Sequence, residues 1–218
     1  MARIISIVQI KGGAGRSTLA TNLAATLARA GNTALIDGDV PQGTSLSWSA
    51  LRSAGGRMGA LTVVAAASHL DLAHKVRQLA ETQDYIVIDG PPRIAEITRA
   101  MLIMSDLCLI PLGASVAEVW ATTDLLKTIK EARLHHHNVD ARIVWNRFRG
   151  YTRSARELGK AVQAELGMPE LQARLGSRVA YCEVLARGLA VDEWHDKAAS
   201  AELQAMAQEV LGILQDKP

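Results

Sequence analysis

The sequence predicts a doubly wound α/β fold, in which helices cover both faces of a mostly parallel sheet. Three observations carry this prediction. Short β-branched runs alternate with alanine- and leucine-rich runs of helical periodicity along the 218-residue chain. The strand-like runs are apolar almost throughout instead of alternating, which is typical of strands buried on both faces. The chain is 49% hydrophobic and 21% charged and has no repeats, as expected of one globular domain.

Six segments are predicted to be the strands, and the residues between them carry helical periodicity. In chain order the segments are RIISIVQI, NTALIDG, LTVVAA, DYIVIDG, DLCLIPL and ARIVWN. The run AELQAMAQEVLGILQ, residues 201–215, is predicted to be a terminal amphipathic helix. Because this run holds no Lys or Arg, we expect it to pack against the sheet rather than to bind an anionic membrane.

Composition indicates one domain over residues 1–218. No apolar run reaches the roughly 18 uncharged residues that a membrane span needs, and the first residues are strand-like rather than a basic, apolar signal peptide. We therefore expect a cytoplasmic protein. Cys108 and Cys182 lie far apart in apolar contexts, so we expect both to pack in the core in a reducing compartment. The adjacent histidines at positions 135–137 are predicted to form a solvated loop, because neighbouring side chains diverge too much to share one metal ion.

Positive charge is concentrated in one part of the chain, although the formal net charge is only +2. Nine Arg or Lys residues and four glutamates lie between positions 142 and 187, so this segment carries five excess positive charges and the rest of the chain is acidic. Such a segment fits the binding of a polyanion. It fits a solvated helical face equally well, and charge alone leaves both interpretations open.

The segment KGGAGRST, residues 11–18, is predicted to bind phosphate groups. It follows the first predicted strand, and a helix is expected to begin near Ser17. Its three glycines allow consecutive backbone N–H groups to point inward, and the positive end of the helix dipole faces the anion. A tight turn alone needs only one or two glycines. The sequence nevertheless departs from the general pattern G-x-x-x-x-G-K-[ST] at two positions: Ile10 stands at the position of the first glycine, and Arg16 stands at the position of the lysine.

Two further predicted strands end in aspartates, at the edge where doubly wound folds bind ligands. Asp37 and Asp39 follow the second strand in ALIDGDVPQG, and Asp89 ends the fourth in YIVIDGPP. Four apolar residues followed by an aspartate have the form of a Walker B strand. Asp89 is therefore expected to hold a Mg²⁺-bound water, because Mg²⁺ prefers oxygen ligands and usually keeps several waters. A solvated turn is the alternative interpretation of Asp39.

These motifs resemble those of the ParA/MinD family of P-loop ATPases, whose deviant phosphate loop reads K-G-G-x-G-K-[ST]. In size the chain is most similar to small plasmid-partition members such as ParF. The resemblance implies that Lys11 reaches across a dimer interface to the partner's nucleotide, that Ser17 ligates Mg²⁺ and that Thr18 holds the α-phosphate side. In the family pattern D-x-D-P-Q the second aspartate positions the attacking water, which gives that role to Asp39. This chain departs from the pattern by inserting Val40, which either displaces Asp39 or bulges the loop after it.

Weaker late motifs extend the resemblance along the chain. IVWNRF resembles a strand end whose asparagine, here Asn146, reads the adenine edge. Residues 177–194 resemble a region that closes over the nucleotide, with Gly188 and Val191 at matching positions. The nucleotide-binding residues thus implied are Lys11, Gly12, Gly13, Ala14, Gly15, Arg16, Ser17, Thr18 and Asn146. The implied catalytic residues are Lys11, Asp39 and Arg16, and the implied Mg²⁺ ligands are Ser17, Asp39 and Asp89.

The function that the resemblance implies is that of a partition ATPase using ATP, ADP and Mg²⁺. ATP would join two protomers, and the dimer would bind double-stranded DNA nonspecifically through the basic residues between 142 and 187. A centromere-binding partner, ParB-like or ParG-like, would stimulate hydrolysis. We expect a nucleoid-associated protein that does not bind membranes and lacks an N-terminal helix-turn-helix extension.

Arg16 is expected to permit nucleotide binding but to slow hydrolysis. Lysine is a compact charge on a flexible stem, whereas arginine is a planar fork with five donors that needs more room. The arginine charge is therefore more easily placed on ground-state phosphates than on the transition state.

Three alternative functions remain open. A MinD-like positioning ATPase at membranes would need a basic amphipathic C-terminal helix, which residues 201–215 do not supply. A metabolic synthetase of the same superfamily would form a phosphorylated or adenylated small molecule and would be indifferent to DNA. A nucleotide-binding regulator without useful turnover is favoured by Arg16 and Val40.

Overall fold

A six-stranded parallel sheet forms the centre of the computed structural model, which describes residues 2–40, 42–113, 116–135, 139–149, 157, 160 and 166–217. The strands are β1 (Arg3–Ile7), β2 (Thr33–Asp37), β3 (Leu61–Ala65), β4 (Tyr85–Asp89), β5 (Leu107–Leu112) and β6 (Ala141–Trp145). Their order in the sheet is β3-β2-β4-β1-β5-β6, and every pairing is parallel. Each strand lies inside the segment predicted for it, so the predicted fold class is confirmed.

Helices cover both faces of the sheet. On one face pack α1 (Arg16–Leu27), α2 (Thr44–Ala54), α6 (Ala180–Leu185) and α7 (Lys197–Gln215), together with a 3₁₀ turn at Val191–Glu193. On the other face pack α3 (His69–Leu79), α4 (Glu96–Met104) and α5 (Val116–His135). The sheet is therefore the middle of three layers, and its central strands have no solvent-facing side.

The two cores explain why the strands are apolar throughout. Successive strand residues point to opposite faces: Val87 belongs to the core under α1 and α7, while Ile86 and Ile88 belong to the core under α3, α4 and α5. All three side chains are fully buried. Each such side chain contributes about 1.5–3 kcal/mol by burial, so a polar residue on either face of these strands would be costly.

The terminal helix α7 packs against the sheet as predicted, although it begins at Lys197, four residues earlier than expected. Its buried side chains, which include Leu203, Met206 and Val210, form one stripe that contacts the core under α1. Among the described residues, no helix has both the length and the apolarity needed to cross a bilayer.

The prediction that both cysteines are core residues holds for Cys108 and is wrong for Cys182. Cys108 is buried in β5, whereas Cys182 is exposed. The six-residue helix α6 buries only one narrow stripe, which includes Tyr181 and Val184, and Cys182 lies off that stripe. Of the three adjacent histidines, His135 is the last residue of α5, and the other two lie outside the described residues.

The strand register brings the predicted site residues to one edge of the sheet. Asp89 at the end of β4 pairs with Ile7 of β1 on one side and with Asp37 of β2 on the other. Strands β4 and β5 flank β1, so the chain crosses over β1 between them and creates a switch point at its carboxyl end. Ligands bind at such points in doubly wound folds.

The turn at Gly188 provides a test of this packing. Gly188 has φ +67°, and a Cβ there would overlap the backbone nitrogen of Arg52 and lie 2.7 Å from the carbonyl carbon of Leu51. Gly188→Ala is therefore expected to lower the free energy of unfolding by about 3 kcal/mol. Gly56→Ala is the matched control, because Gly56 has φ +66° but open space where a Cβ would stand, and it should cost about 1 kcal/mol. Urea unfolding measures both, and equal losses would contradict the close approach of α2.

Candidate functional site

The phosphate loop, residues 10–15, joins β1 to α1 at the switch point. Gly13 and Gly15 have φ of +75° and +90°. A Cβ at Gly12 or Gly13 would meet no atom within 4 Å, so this side of the loop is open. The first turn of α1 holds no acidic residue, and its N-cap, Gly15, has no side chain to satisfy the leading N–H groups. An open loop at an uncapped helix N-terminus is suited to binding an anion.

Asn146, just after β6, braces the phosphate loop. Its side-chain Nδ2 donates to the carbonyl oxygen of Ala14 at 2.9 Å, and its Oδ1 accepts from the backbone N–H of Arg147 at 2.9 Å. A Cβ on Gly15 would clash with Asn146 Nδ2, which explains the glycine there. No sequence motif indicates this contact between Asn146 and the loop. The contact of Asn146 with adenine stays a prediction.

Arg16, the first residue of α1, binds backbone carbonyl oxygens on both sides of the phosphate loop. Its Nη1 donates to the carbonyl oxygens of Gln9 and Lys11, each at 2.7 Å, and its Nε donates to that of Gly90 at 2.8 Å. The residue is only 8% exposed. Burial lowers the pKa of Arg16, and the nearby Asp89 carboxylate offsets only part of this shift. A guanidinium nevertheless stays charged in proteins. The sequence did not reveal that the Arg16 side chain forms hydrogen bonds with backbone carbonyl oxygens of its own chain.

Asp89 lies buried beside the loop with one oxygen satisfied and the other not. Its Oδ2 accepts from the hydroxyl of Ser45 at 2.7 Å, whereas Oδ1 has no hydrogen-bond partner among the described residues. Burial raises the pKa of Asp89 to about 7, although the nearby hydroxyls of Ser45 and Ser17 lower it. Ser45 stands in the first turn of α2, and no sequence motif singled it out.

Asp37 has a structural role at the end of β2. It is fully buried, and its Oδ1 accepts from the backbone N–H of Asp39 at 3.0 Å while Oδ2 accepts from that of Leu46 at 3.1 Å. These bonds fix the chain after β2 and attach it to α2. Asp37 thereby holds Asp39 in place.

Asp39 stays in the site despite the inserted Val40. The carbonyl oxygen of Asp39 accepts from the N–H groups of Gln42 at 2.9 Å and Gly43 at 2.8 Å, which closes a turn with Val40 on its outside, 39% exposed. The insertion thus bulges the loop after Asp39. The pKa of Asp39 is raised by burial, and the nearby Arg16 guanidinium offsets only part of this shift.

The donor set of this edge fits Mg²⁺. The unsatisfied Oδ1 of Asp89, the hydroxyl of Ser17 and the carboxylate of Asp39 are all oxygen donors, which Mg²⁺ prefers together with water and phosphate. The described residues contain no group of three or more His, Cys, Asp and Glu that could hold a metal by itself. A cation here would therefore depend on a hydroxyl, water and a bound phosphate. Thr18, the next residue of α1, is half-buried.

Lys11 lies at the rim of the loop beside a buried carboxylate. Its Nζ is 3.9 Å from Oε1 of Glu118, and the lysine side chain is 35% exposed. Glu118, in the first turn of α5, also accepts from Nη2 of Arg147 at 2.6 Å and from the N–H of Gly113. The sequence does not single out Glu118, because nothing in a helical run marks one glutamate as a partner of a loop more than 100 residues away.

The late segment predicted to close over the nucleotide packs on α1 and α2. The N–H of Val191 donates to Oδ1 of Asn22 at 2.8 Å, and Arg52 forms two hydrogen bonds with Glu193. These contacts fix the segment beside the helix that carries the phosphate loop. Its contact with a nucleotide stays a prediction.

Known proteins are similar to most of this chain. A family model described as an AAA domain matches residues 51–143. The maintenance of carboxysome distribution protein A of Halothiobacillus neapolitanus is 28% identical over 210 residues, covering 95% of each chain. The chromosome-partitioning ATPase Soj of Thermus thermophilus is 28% identical over 156 residues, covering 60% of this chain and 63% of Soj. This chain is thus similar along nearly its whole length to ParA/MinD-type P-loop ATPases, as its motifs predict.

Solved structures of ParA/MinD-type proteins have the same fold. An ATP complex of a variant of McdA from Cyanothece superposes with a TM-score of 0.78 at 18% identity, covering 97% of this chain and 96% of that one. The septum site-determining protein MinD of Pyrococcus horikoshii, in complex with Mg-ADP, gives a TM-score of 0.75 at 19% identity and covers both chains completely. The fold is therefore that of the ParA/MinD family over essentially the whole chain.

The raised pKa of Asp89 predicts that the ligand-free protein loses stability as the pH rises. An aspartate has a pKa of about 4 when unfolded and Asp89 one of about 7 when folded, so the folded state binds more protons between these values. The free energy of unfolding should then fall from pH 4 to pH 7. Asp89→Asn removes this titration. At pH 8 its free energy of unfolding should therefore exceed that of the natural chain by up to about 4 kcal/mol.

Urea unfolding in EDTA at pH 4, 6 and 8 measures this difference. Asp71→Asn is the control, because a hydrogen bond from Lys75 lowers the pKa of Asp71. Its ionised form therefore stabilises the fold, and this variant should lose stability at high pH. Parallel pH curves for Asp89→Asn and the natural chain would contradict the burial of an uncompensated carboxyl.

Proposed function

We propose that this chain is a positioning ATPase, whose ATP-dependent dimer distributes or holds a large cargo such as a plasmid, a chromosome or a protein compartment. The observation that carries the proposal is the convergence of the open phosphate loop, Ser17, Asp39 and Asp89 at one edge of a ParA/MinD fold. Relatives named for carboxysome distribution and chromosome partitioning support the cargo class. We expect the whole chain to act as one ATPase domain.

The proposed nucleotide is ATP or ADP with Mg²⁺. The N–H groups of residues 12–15 and the N-terminus of α1 would bind the phosphates, with Thr18 on the α-phosphate side and Asn146 near the base. Ser17 and Asp89 would hold the metal and its water. Bound Mg²⁺ supplies positive charge that neutralises the transferring phosphoryl group. Asp39 would orient the attacking water, for which its position in the turn after β2 is suited.

Hydrolysis is proposed to be slow because Arg16 is engaged elsewhere. Its Nε and Nη1 are bonded to backbone carbonyl oxygens, so its charge cannot move freely toward a transition state. The same contacts support a second candidate function, that of a nucleotide-binding regulator without useful turnover. Turnover distinguishes the two.

Arg16→Lys is expected to raise ATP turnover about tenfold, which corresponds to a barrier lower by about 1.4 kcal/mol. A lysine ammonium on a flexible stem can follow the phosphates, which the fixed guanidinium cannot. Phosphate release with Mg²⁺ and saturating ATP measures the rate, and Asp39→Ala in both backgrounds controls for contaminating ATPases by abolishing it. Unchanged turnover together with unchanged nucleotide affinity would overturn this role of Arg16.

ATP is proposed to join two protomers through Lys11, which would contact the partner's nucleotide. Its partly exposed side chain and long 3.9 Å contact with Glu118 leave it able to move. A partner protein, ParB-like or ParG-like or an adaptor on another cargo, would then stimulate hydrolysis and separate the dimer. The helix α7 carries no Lys or Arg over residues 201–215, which argues against a membrane surface as the platform.

The proposed platform is nonspecific double-stranded DNA, which would make the protein cytoplasmic and nucleoid-associated. The excess charge between 142 and 187 overstates the number of cations that are available to bind DNA phosphates, because several arginines are paired with carboxylates. The pairs are Arg142 with Asp140, Arg147 with Glu118, Arg174 with Glu170 and Arg178 with Glu202. Lys160 is exposed, and Arg153 and Arg156 lie outside the described residues. These last three are the cations to which we assign DNA binding.

DNA binding should require ATP and should weaken steeply with salt, as expected for phosphate contacts. Fluorescence anisotropy of a labelled duplex with ATP, ADP or no nucleotide, at 50 and 200 mM salt, measures both effects. Replacing Arg153, Arg156 and Lys160 with Ala should reduce affinity about tenfold or more, whereas Arg142→Ala, which removes an already paired cation, should change it little. Absence of binding in every nucleotide state would redirect the proposal to a protein scaffold.

A further inference from the structure

The Arg16 guanidinium bridges two segments that meet at the switch point. Two of its nitrogens are used, and they point in different directions: Nη1 bonds Gln9, just before the phosphate loop, and Lys11 within it, and Nε bonds Gly90, which follows β4. A lysine has a single nitrogen and cannot span both acceptors in this way. The remaining nitrogen, Nη2, has no partner within the described part of the chain.

Both ends of this bridge are held rigidly. The N–H of Gly90 donates to the carbonyl oxygen of Ile7 at 3.1 Å, and a Cβ on Gly90 would lie 2.7 Å from that oxygen. The Gln9 side chain is buried and donates to the hydroxyl of Thr122 at 3.0 Å and to the carbonyl oxygen of Pro111 at 3.3 Å. Arg16 therefore connects the loop to two fixed parts of the core.

We propose that Arg16 is a positioning residue, which holds the phosphate loop in its open shape through three carbonyl contacts and offers only Nη2 to a phosphate. The proposal rests on the proposed nucleotide-binding function and specifies how this chain, with arginine in place of lysine, performs it. Because the contacts are internal, they persist when nucleotide binds. The loop is thus organised in advance, which reduces the ordering cost of binding, and the Arg16 charge stays where the carbonyl oxygens hold it.

Nitrogen-15 NMR of the full chain tests this directly through the arginine Nε–H groups. The Arg16 Nε–H, assigned by its loss in Arg16→Lys, should exchange slowly with water in the ligand-free protein and keep its shift on saturation with Mg-ADP. Arg52 is the matched control: it is equally buried, lies away from the phosphate loop and has an Nε without a hydrogen-bond partner among the described residues. Its Nε–H, assigned through Arg52→Lys, should not respond to Mg-ADP.

Amide exchange at Gly90 is the second measurement. In Arg16→Lys the Gly90 N–H should exchange about tenfold faster than in the natural chain, since the neighbouring carbonyl loses its charged donor, whereas Arg52→Lys should leave it unchanged. A fast-exchanging Arg16 Nε–H in the ligand-free protein, its displacement by Mg-ADP, or unchanged Gly90 exchange in Arg16→Lys would each overturn the proposal. If Arg16→Lys does not fold, the Arg16 Nε–H is assigned in the natural chain by through-bond correlation to the Arg16 backbone signals, and its exchange and its response to Mg-ADP decide.

The same spectra separate this proposal from the proposed function. Binding of Mg-ADP is detected independently by the backbone N–H signals of Gly12 and Gly13, which line the open side of the loop. If these signals do not respond, the nucleotide-binding function fails, and the carbonyl contacts of Arg16 are still judged from the ligand-free spectrum and from Gly90.

Discussion

The hydrogen-bond register between β1, β4 and β2 is the constraint on which the rest of the site depends. It places Ile7, Asp89 and Asp37 side by side, so that the segments following three strands meet at one point. A slip of one residue in β4 would turn Asp89 to the opposite face of the sheet and carry Gly90 away from Arg16. Two apolar cores, one on each face, specify this register, because β2 is buried throughout and only Arg3, Ile4 and Tyr85 of β1 and β4 are partly exposed.

The chain itself compensates the charges at this point only in part. Asp37 and Asp89 are buried, Asp39 is partly exposed, and the Arg16 guanidinium lies among them. Isolated buried charges are costly, and breaking a buried pair leaves the other charge uncompensated. Asp37 is satisfied by two backbone N–H groups, whereas Asp89 retains one unsatisfied oxygen. Both oxygens of Asp37 thus have hydrogen-bond donors, as expected of a structural carboxylate. One oxygen of Asp89 has none, as expected of a carboxylate that binds a ligand.

Periodicity and motif spacing could predict the six strands, the edge of the sheet that carries the site and the residues along the phosphate loop. These features are local, because each depends on residues within one segment. The brace from Asn146, the carboxylate of Glu118 and the hydroxyl of Ser45 come from segments distant in sequence, and only the folded chain brings them to the loop. Charge counting could not reveal the ion pairs for the same reason: the carboxylates that pair with Arg147 and Arg178, Glu118 and Glu202, lie outside the basic segment.

An arginine at position 16 changes which cation can respond to the nucleotide. If Arg16 stays on its three carbonyl oxygens, Lys11 is the basic residue of the loop that remains free to change partners, since it is partly exposed and only loosely paired with Glu118. Glu118 does not depend on Lys11, because Arg147 and the Gly113 N–H also satisfy it. In the proposed dimer, Lys11 would therefore leave Glu118 for the partner's phosphates at small cost. Hydrolysis would then depend on dimerisation more strongly than in a variant with lysine at position 16, whose ammonium could act within one protomer.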